Sequence, residues 1–204
     1  MFLWLARIFC FIPISIFHPT SVKGKKNLPK GKAILSCNHL SNWDIVLYYL
    51  NTSQHLKILA KNELFKKKFS GAILKGLGGI PVDREANDIS AIKASIKALK
   101  ENKKLFVFPE GTRLKDESKI LGELKSGMAL IAIKTQTPIV PIWSVRRAKT
   151  FRKSVYYIGK PFELDQFYGK KLDEETLKEA TEIVRQKMLE TRELALAKKQ
   201  KKKK

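Results

Sequence analysis

Ala33-Ile34-Leu35-Ser36-Cys37-Asn38-His39-Leu40-Ser41-Asn42-Trp43-Asp44 is the stretch on which the reading of this chain turns. Its first five residues form a short apolar run of strand length, read as a buried strand over 33–37. His39 then stands at the C-terminal exit of that strand. Asp44 falls in the first turn of the helix expected to follow. A turn between the two lets the carboxylate face the imidazole. A carboxylate on one ring nitrogen fixes the tautomer and raises the basicity of the other. A histidine and an aspartate at this spacing also arise by chance, so the pair is weighed with the rest of the chain.

The strand–turn–helix unit recurs. Strands are predicted at 56–60, 79–82, 105–108, 139–145 and 155–158, the last as an edge strand. Helices are predicted at 44–50, 62–69, 88–101, 126–135 and 173–197. Ile89, Ile92, Ile96 and Leu99 recur at helical spacing in the third of these, and Leu177, Ala180, Val184 and Met188 do so in the last. Residues 19–32 read as a polar connector, 71–79 as a glycine-rich link and 109–122 as a loop. Alternation of this kind predicts an α/β fold, a single mixed sheet flanked by helices. In such sheets chemistry collects in the loops beyond the strand ends. His39, Lys61, Arg84, Glu110 and Arg113 all fall at such ends.

The 204 residues, 44% of them hydrophobic, suffice for one domain, placed at 23–197. The formal charge of +22 demands an anionic partner: lipid headgroups, a phosphorylated substrate, an acidic carrier protein or nucleic acid. The charge is clustered. Six of the last seven residues are lysines, and 198–204 is read as a disordered polybasic tail. Lys66 to Lys68 form one further cluster. Arg146, Arg147, Lys149, Arg152 and Lys153 form another. No helix-turn-helix, zinc-finger or RNP-like pattern accompanies the charge, which speaks against specific nucleic-acid binding. Cys10 and Cys37 have no metal or disulfide spacing, and no metal site is expected.

Residues 1–17 are almost wholly apolar, interrupted by Arg7 and Pro13. As a helix they would reach roughly 26 Å, short of the ~30 Å hydrocarbon core. The stretch has neither the basic start nor the cleavage site of a signal peptide. It is read, with residues up to 22, as a helical, membrane-associated leader lying in one leaflet.

Phe108-Pro109-Glu110-Gly111-Thr112-Arg113 leaves its strand abruptly. Proline ends the ladder and glycine permits an unusual backbone angle. Arginine suits bidentate contacts with phosphate or carboxylate. Asp83-Arg84 repeats the theme at another strand tip. No G-x-S-x-G elbow is present, and the glycine runs at 71–79 carry neither a dinucleotide fingerprint nor a phosphate-loop lysine.

Taken together, these stretches resemble the glycerolipid acyltransferase family, and most nearly its 1-acylglycerol-3-phosphate acyltransferases. Asn38–Asp44 matches N-H-x-S-x-x-D and Phe108–Arg113 matches F-P-E-G-T-R. Gly79-Ile80-Pro81-Val82-Asp83-Arg84 resembles the second block of that family, with Pro81 a departure from its usual bulky residue. Thr137 to Ile142 resembles the fourth. The resemblance covers about residues 30 to 145. It implies acyl transfer from a thioester to the sn-2 hydroxyl of a lysophosphatidate, giving phosphatidate, with no resident cofactor. His39 would be the general base and Asp44 its orienting partner. Arg84 and Arg113 would hold the phosphate, Glu110 and Gly111 would shape the glycerol site, and Lys61 is a further candidate for phosphate or oxyanion, with Lys125 behind it. Asn38 would brace the His39 turn, and Ser41 reads as a cap. The acyl donor, coenzyme A or acyl carrier protein thioester, is left open. Glycerol 3-phosphate or another lysophospholipid is the alternative acceptor. A non-catalytic basic protein of the membrane surface, or one that binds nucleic acid, is the alternative class. The substrates imply a place at the cytoplasmic face of an anionic membrane.

Overall fold

The computed structural model describes residues 13–52, 56–66, 68–76, 78–83, 88–114, 116 and 119–200. Seven strands make one sheet: β1 (Thr20–Lys23), β2 (Ala33–Cys37), β3 (Leu56–Lys61), β4 (Gly79–Val82), β5 (Lys104–Val107), β6 (Ile139–Ser144) and β7 (Ser154–Ile158). The helices are α1 (Trp43–Asn51), α2 (Asn62–Lys66), α3 (Lys68–Gly76), α4 (Ile89–Lys100), α5 (Gly127–Thr135) and α6 (Glu174–Gln200). The strand order is β1-β7-β6-β2-β5-β3-β4. The five strands from β6 to β4 run parallel, β7 is antiparallel to β6, and β1 is parallel to β7. The sheet is mixed, as the alternating pattern predicts.

β2 lies at the middle of the sheet and every residue in it is buried. Its alternation divides the core into two layers. Ile34 faces the layer built with α4, α5 and α6, where Leu99, Met128, Ile131, Val184 and Met188 pack. Ala33, Leu35 and Cys37 face the layer under α1, with Leu47, Tyr48, Phe106 and Tyr156. Burial on both faces is what makes such a strand an unbroken apolar run. β5 and β6 flank β2 and run parallel to it, so all three leave the sheet at one edge. That common edge gathers the loops that follow Cys37, Val107 and Ser144.

Four elements differ from expectation. Residues 155–158 are not an edge: β1 pairs outside β7, within the stretch read as a polar connector. β1 has four residues, of which only Val22 packs into the core, so it carries too little pattern to be read. Residues 71–79 are not a link. α3 runs through Gly76, because its apolar positions outweigh the ~1 kcal/mol that a helical glycine costs. Gly71 serves close packing there: a Cβ on it would stand 2.3 Å from the Phe65 carbonyl oxygen. The helix expected at 62–69 is two helices, α2 and α3. Last, α6 continues through Gln200, so Lys198 and Lys199 extend a helix. Lysine is a good helix former, and positive charge suits the negative C-terminal end.

Pro81 sits on β4, the outer strand beyond β3, paired with Ala60 on one side. An edge strand tolerates the missing donor. The leader falls mostly on residues 1–12, outside the described residues, as does Lys201–Lys204 of the tail; the helical leader expected through residue 22 ends earlier, because residues 20–22 belong to β1 and pair with β7 in the sheet. Residues 13–17 are helical. Among the described residues, no helix is long and apolar enough to cross a membrane.

Candidate active site

His39 follows the end of β2, and its imidazole Nδ1 lies 3.3 Å from Asp44 Oδ2. The ring stacks on Phe108, with centroids 3.8 Å apart and planes within 16°. Those two contacts fix the ring plane and commit one nitrogen, leaving Nε2 for chemistry. Asp44 is fully buried. Its Oδ2 also accepts the backbone N–H of Leu40 at 2.8 Å and of Ser41 at 2.7 Å. Its Oδ1 accepts the hydroxyl of Tyr156 at 3.2 Å. A buried carboxylate has its acceptor capacity met by these donors, and a turn wrapped around it is held in one shape. The position in the first turn of α1 adds the favourable end of the helix dipole.

Neighbouring residues hold this turn from both sides. The Asn38 side chain donates to the Ser144 carbonyl at 3.1 Å and accepts the Ser144 N–H at 2.7 Å. It thereby extends the β2–β6 ladder beyond the last strand residue and braces the turn as expected. Ser41 Oγ accepts the Trp43 N–H at 3.3 Å, which is a capping role.

The loop after β5 docks on the other side. Glu110 Oε1 accepts the His39 backbone N–H at 2.8 Å, and Oε2 accepts the Gly122 N–H at 3.0 Å. Burial pushes the Glu110 carboxyl up, and the two amide donors offset only part of that rise. Both of its oxygens are taken by backbone, so Glu110 shapes the site by tethering two loops. Gly111 has φ +67°, in the left-handed region. A Cβ there would meet the Lys125 stem at 3.1 Å, so its missing side chain also lets Lys125 lie across the turn. The Leu114 N–H donates to the His39 carbonyl at 2.9 Å, which sets its neighbour Arg113, an exposed residue, beside the histidine.

His39, Asp44, Glu110, Gly111 and Arg113 are therefore brought together at one sheet edge. Lys61 ends β3, two strands from β2, and pairs with Glu63 at 3.3 Å on the surface. Arg84 lies outside the described residues. The residue before it, Asp83, donates its N–H to the Asp88 carboxylate at 2.8 Å. Sequence reasoning missed Tyr156 and Phe108. Tyr156 belongs to no motif, and only its inward register on β7 marks it. Phe108 was read as part of the strand rather than as the platform for the imidazole. Of the other histidines, His18 is buried against Trp43 with ring centroids 4.5 Å apart, and His55 lies outside the described residues.

A positioned imidazole with a buried carboxylate behind it abstracts a proton from a hydroxyl or thiol. A cationic loop beside it suits an anionic substrate.

The sequence model of the family described as Acyltransferase matches residues 19–145. The chain is 35% identical over 131 residues to the 1-acyl-sn-glycerol-3-phosphate acyltransferase of Bacillus subtilis, covering 63% of each. It is 32% identical over 143 residues to a chloroplastic 1-acyl-sn-glycerol-3-phosphate acyltransferase of Brassica napus, covering 68% of this chain and 41% of that one. It thus spans between two fifths and two thirds of the length of these curated relatives. Among solved structures it is similar to the 1-acyl-sn-glycerophosphate acyltransferase PlsC of Thermotoga maritima. The TM-score is 0.65 with 26% identity, over 93% of this chain and 81% of that one. With the family model matched over more than half its length, and the His39–Asp44 pair assembled at the edge where the matched loops meet, the chain belongs to the acyltransferase family.

Proposed function

We propose that this protein transfers a fatty acyl group from a thioester to the sn-2 hydroxyl of 1-acylglycerol 3-phosphate, giving phosphatidate. The observation that carries the reading is the His39 Nδ1–Asp44 Oδ2 contact of 3.3 Å, with Asp44 wholly buried. Nε2 of His39 takes the hydroxyl proton as the oxygen attacks the thioester carbonyl. The new C–O bond forms, the C–S bond breaks, and the proton passes from the imidazolium to the departing thiolate. Asp44 stabilises the imidazolium between those events. General-base help of this kind is worth about 10²–10⁴-fold. Arg113 neutralises the substrate phosphate, with Arg84 and Lys61 as further cations. The thioester is carried by coenzyme A or by acyl carrier protein.

The site's surroundings support a membrane-borne acceptor. Ile16, Phe17, Trp43 and Phe151 are exposed. An apolar cleft of about 320 Å³, lined by Pro13, Ile14, Phe17, His18, Trp43 and Thr150, opens beside them. Trp43 adjoins Asp44 in the chain, so this apolar surface borders the catalytic turn. Lys149, Arg152 and Lys153 are exposed next to Phe151. Apolar side chains rimmed by cations suit an anionic cytoplasmic leaflet, with the apolar residues 1–12 as an additional anchor.

The test is acyl transfer by the purified protein in detergent, with lysophosphatidate and glycerol 3-phosphate offered in parallel and each thioester supplied in turn. Phosphatidate formed from lysophosphatidate, and lost in His39→Ala, is the expected result. Transfer to glycerol 3-phosphate alone would replace the acceptor. Folded protein inactive on both acceptors would overturn the reading.

A further inference from the structure

We propose that Tyr156 is a positioning residue of the catalytic pair, donating to Asp44 and thereby setting how strongly Asp44 holds the proton of His39. The inference rests on the general-base role given to His39 above.

Tyr156 lies on β7, beyond residues 19–145 matched by the family model, and 112 positions from Asp44 in the chain. Both residues are fully buried. The phenol hydroxyl reaches Asp44 Oδ1 at 3.2 Å. The contacts of His39, Leu40 and Ser41 all fall on the other oxygen, Oδ2. The two carboxylate oxygens are thus divided between the catalytic turn and the sheet. The placement is reinforced from below. Tyr156 stands opposite Ser144 in the β6–β7 ladder, and the Ser144 backbone is the one gripped by Asn38. One strand pair therefore holds the turn at Asn38 and at Asp44, on either side of His39.

The chemistry follows from sharing charge. Each hydrogen bond donated to a carboxylate spreads its negative charge and weakens its pull on any one partner. Among the described residues, the titratable groups around Asp44 are His39, Tyr156 and Cys37; Glu110 faces His39 from the β5 loop, Arg113 stands beside it on the same loop, and Arg147 donates to the Leu114 carbonyl. Burial pushes the Tyr156 phenol and the Cys37 thiol up, with the Asp44 charge adding to both shifts. Tyr156 accordingly stays a neutral donor over the whole range in which an imidazole titrates. Without that donor, Asp44 draws the imidazole proton harder. His39 then remains protonated to higher pH and is a base over a narrower range.

The experiment is an NMR titration of the three histidine imidazoles in the full chain, with the His39 signal assigned by its loss in His39→Gln. In Tyr156→Phe the His39 midpoint is expected to rise by roughly half a unit to one unit, since a bond to a charged group is worth more than a pH unit and only part reaches the ring. Tyr48→Phe removes another buried phenol hydroxyl, on a ring packed edge-on against Tyr156, and is expected to leave the midpoint in place. Biosynthetic replacement of the tyrosines by 3-fluorotyrosine keeps every ring and strengthens the donor, so the midpoint should fall, and it should not fall in Tyr156→Phe. This measurement also serves if Tyr156→Phe fails to fold. An unmoved or lowered midpoint in folded Tyr156→Phe, an equal rise in Tyr48→Phe, or no response to fluorination overturns the proposal. The midpoint is read without substrate, so an inactive parent protein defeats the assigned reaction and leaves this result standing on its own. In an active protein, the acidic limb of kcat/KM moves with the midpoint, whereas a purely structural role lowers the rate equally at every pH.

Discussion

At the scale of single residues, His39 and Asp44 form one contact pair, assigned the general-base role in the proposed reaction, but differ in what they hold. Asp44 has no exposed surface and orders two backbone amides besides the imidazole. His39 contributes a stacked ring and one contact to Asp44. Asp44→Ala should therefore cost about 2–4 kcal/mol of folding stability, because the Leu40 and Ser41 amides lose their acceptor inside the protein. His39→Ala should cost only about 1 kcal/mol while abolishing general-base catalysis. Urea unfolding of the two variants makes the comparison; equal losses would mean that the amides of the turn find other acceptors. Glu110 is a different case, a carboxylate whose charge matters less than its two acceptor oxygens. Glutamine keeps one acceptor and turns a donor toward the second amide. Glu110→Gln should lose about 1–2 kcal/mol and raise KM for the acceptor, as the β5 loop releases one of its two attachments. A variant with unchanged KM would show that Arg113 is held without this tether.

At the scale of elements, the parallel strands explain why distant motifs meet. β2 and β5 leave the sheet side by side, so Asn38–Asp44 and Phe108–Arg113 have to converge. Both stretches were legible in the sequence because each combines a buried run with residues that stop it: Pro109 in one, the Asn38-His39 turn in the other. β1 was not legible, since four residues with one inward valine match no period. Tyr156 was not legible either, because a buried tyrosine on a strand looks the same whether or not its hydroxyl meets a charge. α4 starts on a cap that has a further consequence. Asp88 accepts the Ala91 N–H at 3.0 Å and the Asp83 N–H at 2.8 Å, tying the helix start to the exit of β4. Its hydrogen bond with the Ser90 hydroxyl, followed by those amides, holds its carboxyl down at about 2. A depressed folded value stabilises above the ordinary carboxylate range, near 4, and that contribution is lost as pH falls from there through about 2. Asp88→Ala should thus cost about 1 kcal/mol at neutral pH, the usual worth of an N-cap, and only a small part of that at pH 2. Parallel denaturation curves at the two pH values test this; a loss independent of pH would place the effect in packing rather than in the cap.

At the scale of the whole molecule, the exposed cations Lys149, Arg152 and Lys153 stand beside an exposed apolar group of Ile16, Phe17, Trp43 and Phe151. Phe151 is its most telling residue. It is 72% exposed and adopts φ +58°, a backbone angle that is strained for a bulky side chain by about 1 kcal/mol or more. Its ring meets Phe17, at 5.4 Å between centroids, and its N–H donates to the Phe17 carbonyl at 2.6 Å. Glycine would relieve that backbone, so the aromatic ring is not there for the stability of the isolated fold. If the protein sits on a membrane as proposed, insertion among lipid chains would give the ring a use, and the exposed Lys149, Arg152 and Lys153 would meet the headgroups around it, each worth about 1 kcal/mol near an anionic surface. Phe151→Gly should therefore leave unfolding stability unchanged or slightly raised, yet lower partition onto anionic vesicles about tenfold. Lys149→Glu with Arg152→Glu should lower it further, and the deficit of that double variant should shrink as salt screens the interaction. Cosedimentation with vesicles of anionic and of neutral lipid, at low and high salt, separates the two contributions. Phe151→Gly that binds as well as the parent would remove this loop from the membrane face and leave residues 1–17 and the C-terminal lysines to hold the protein there.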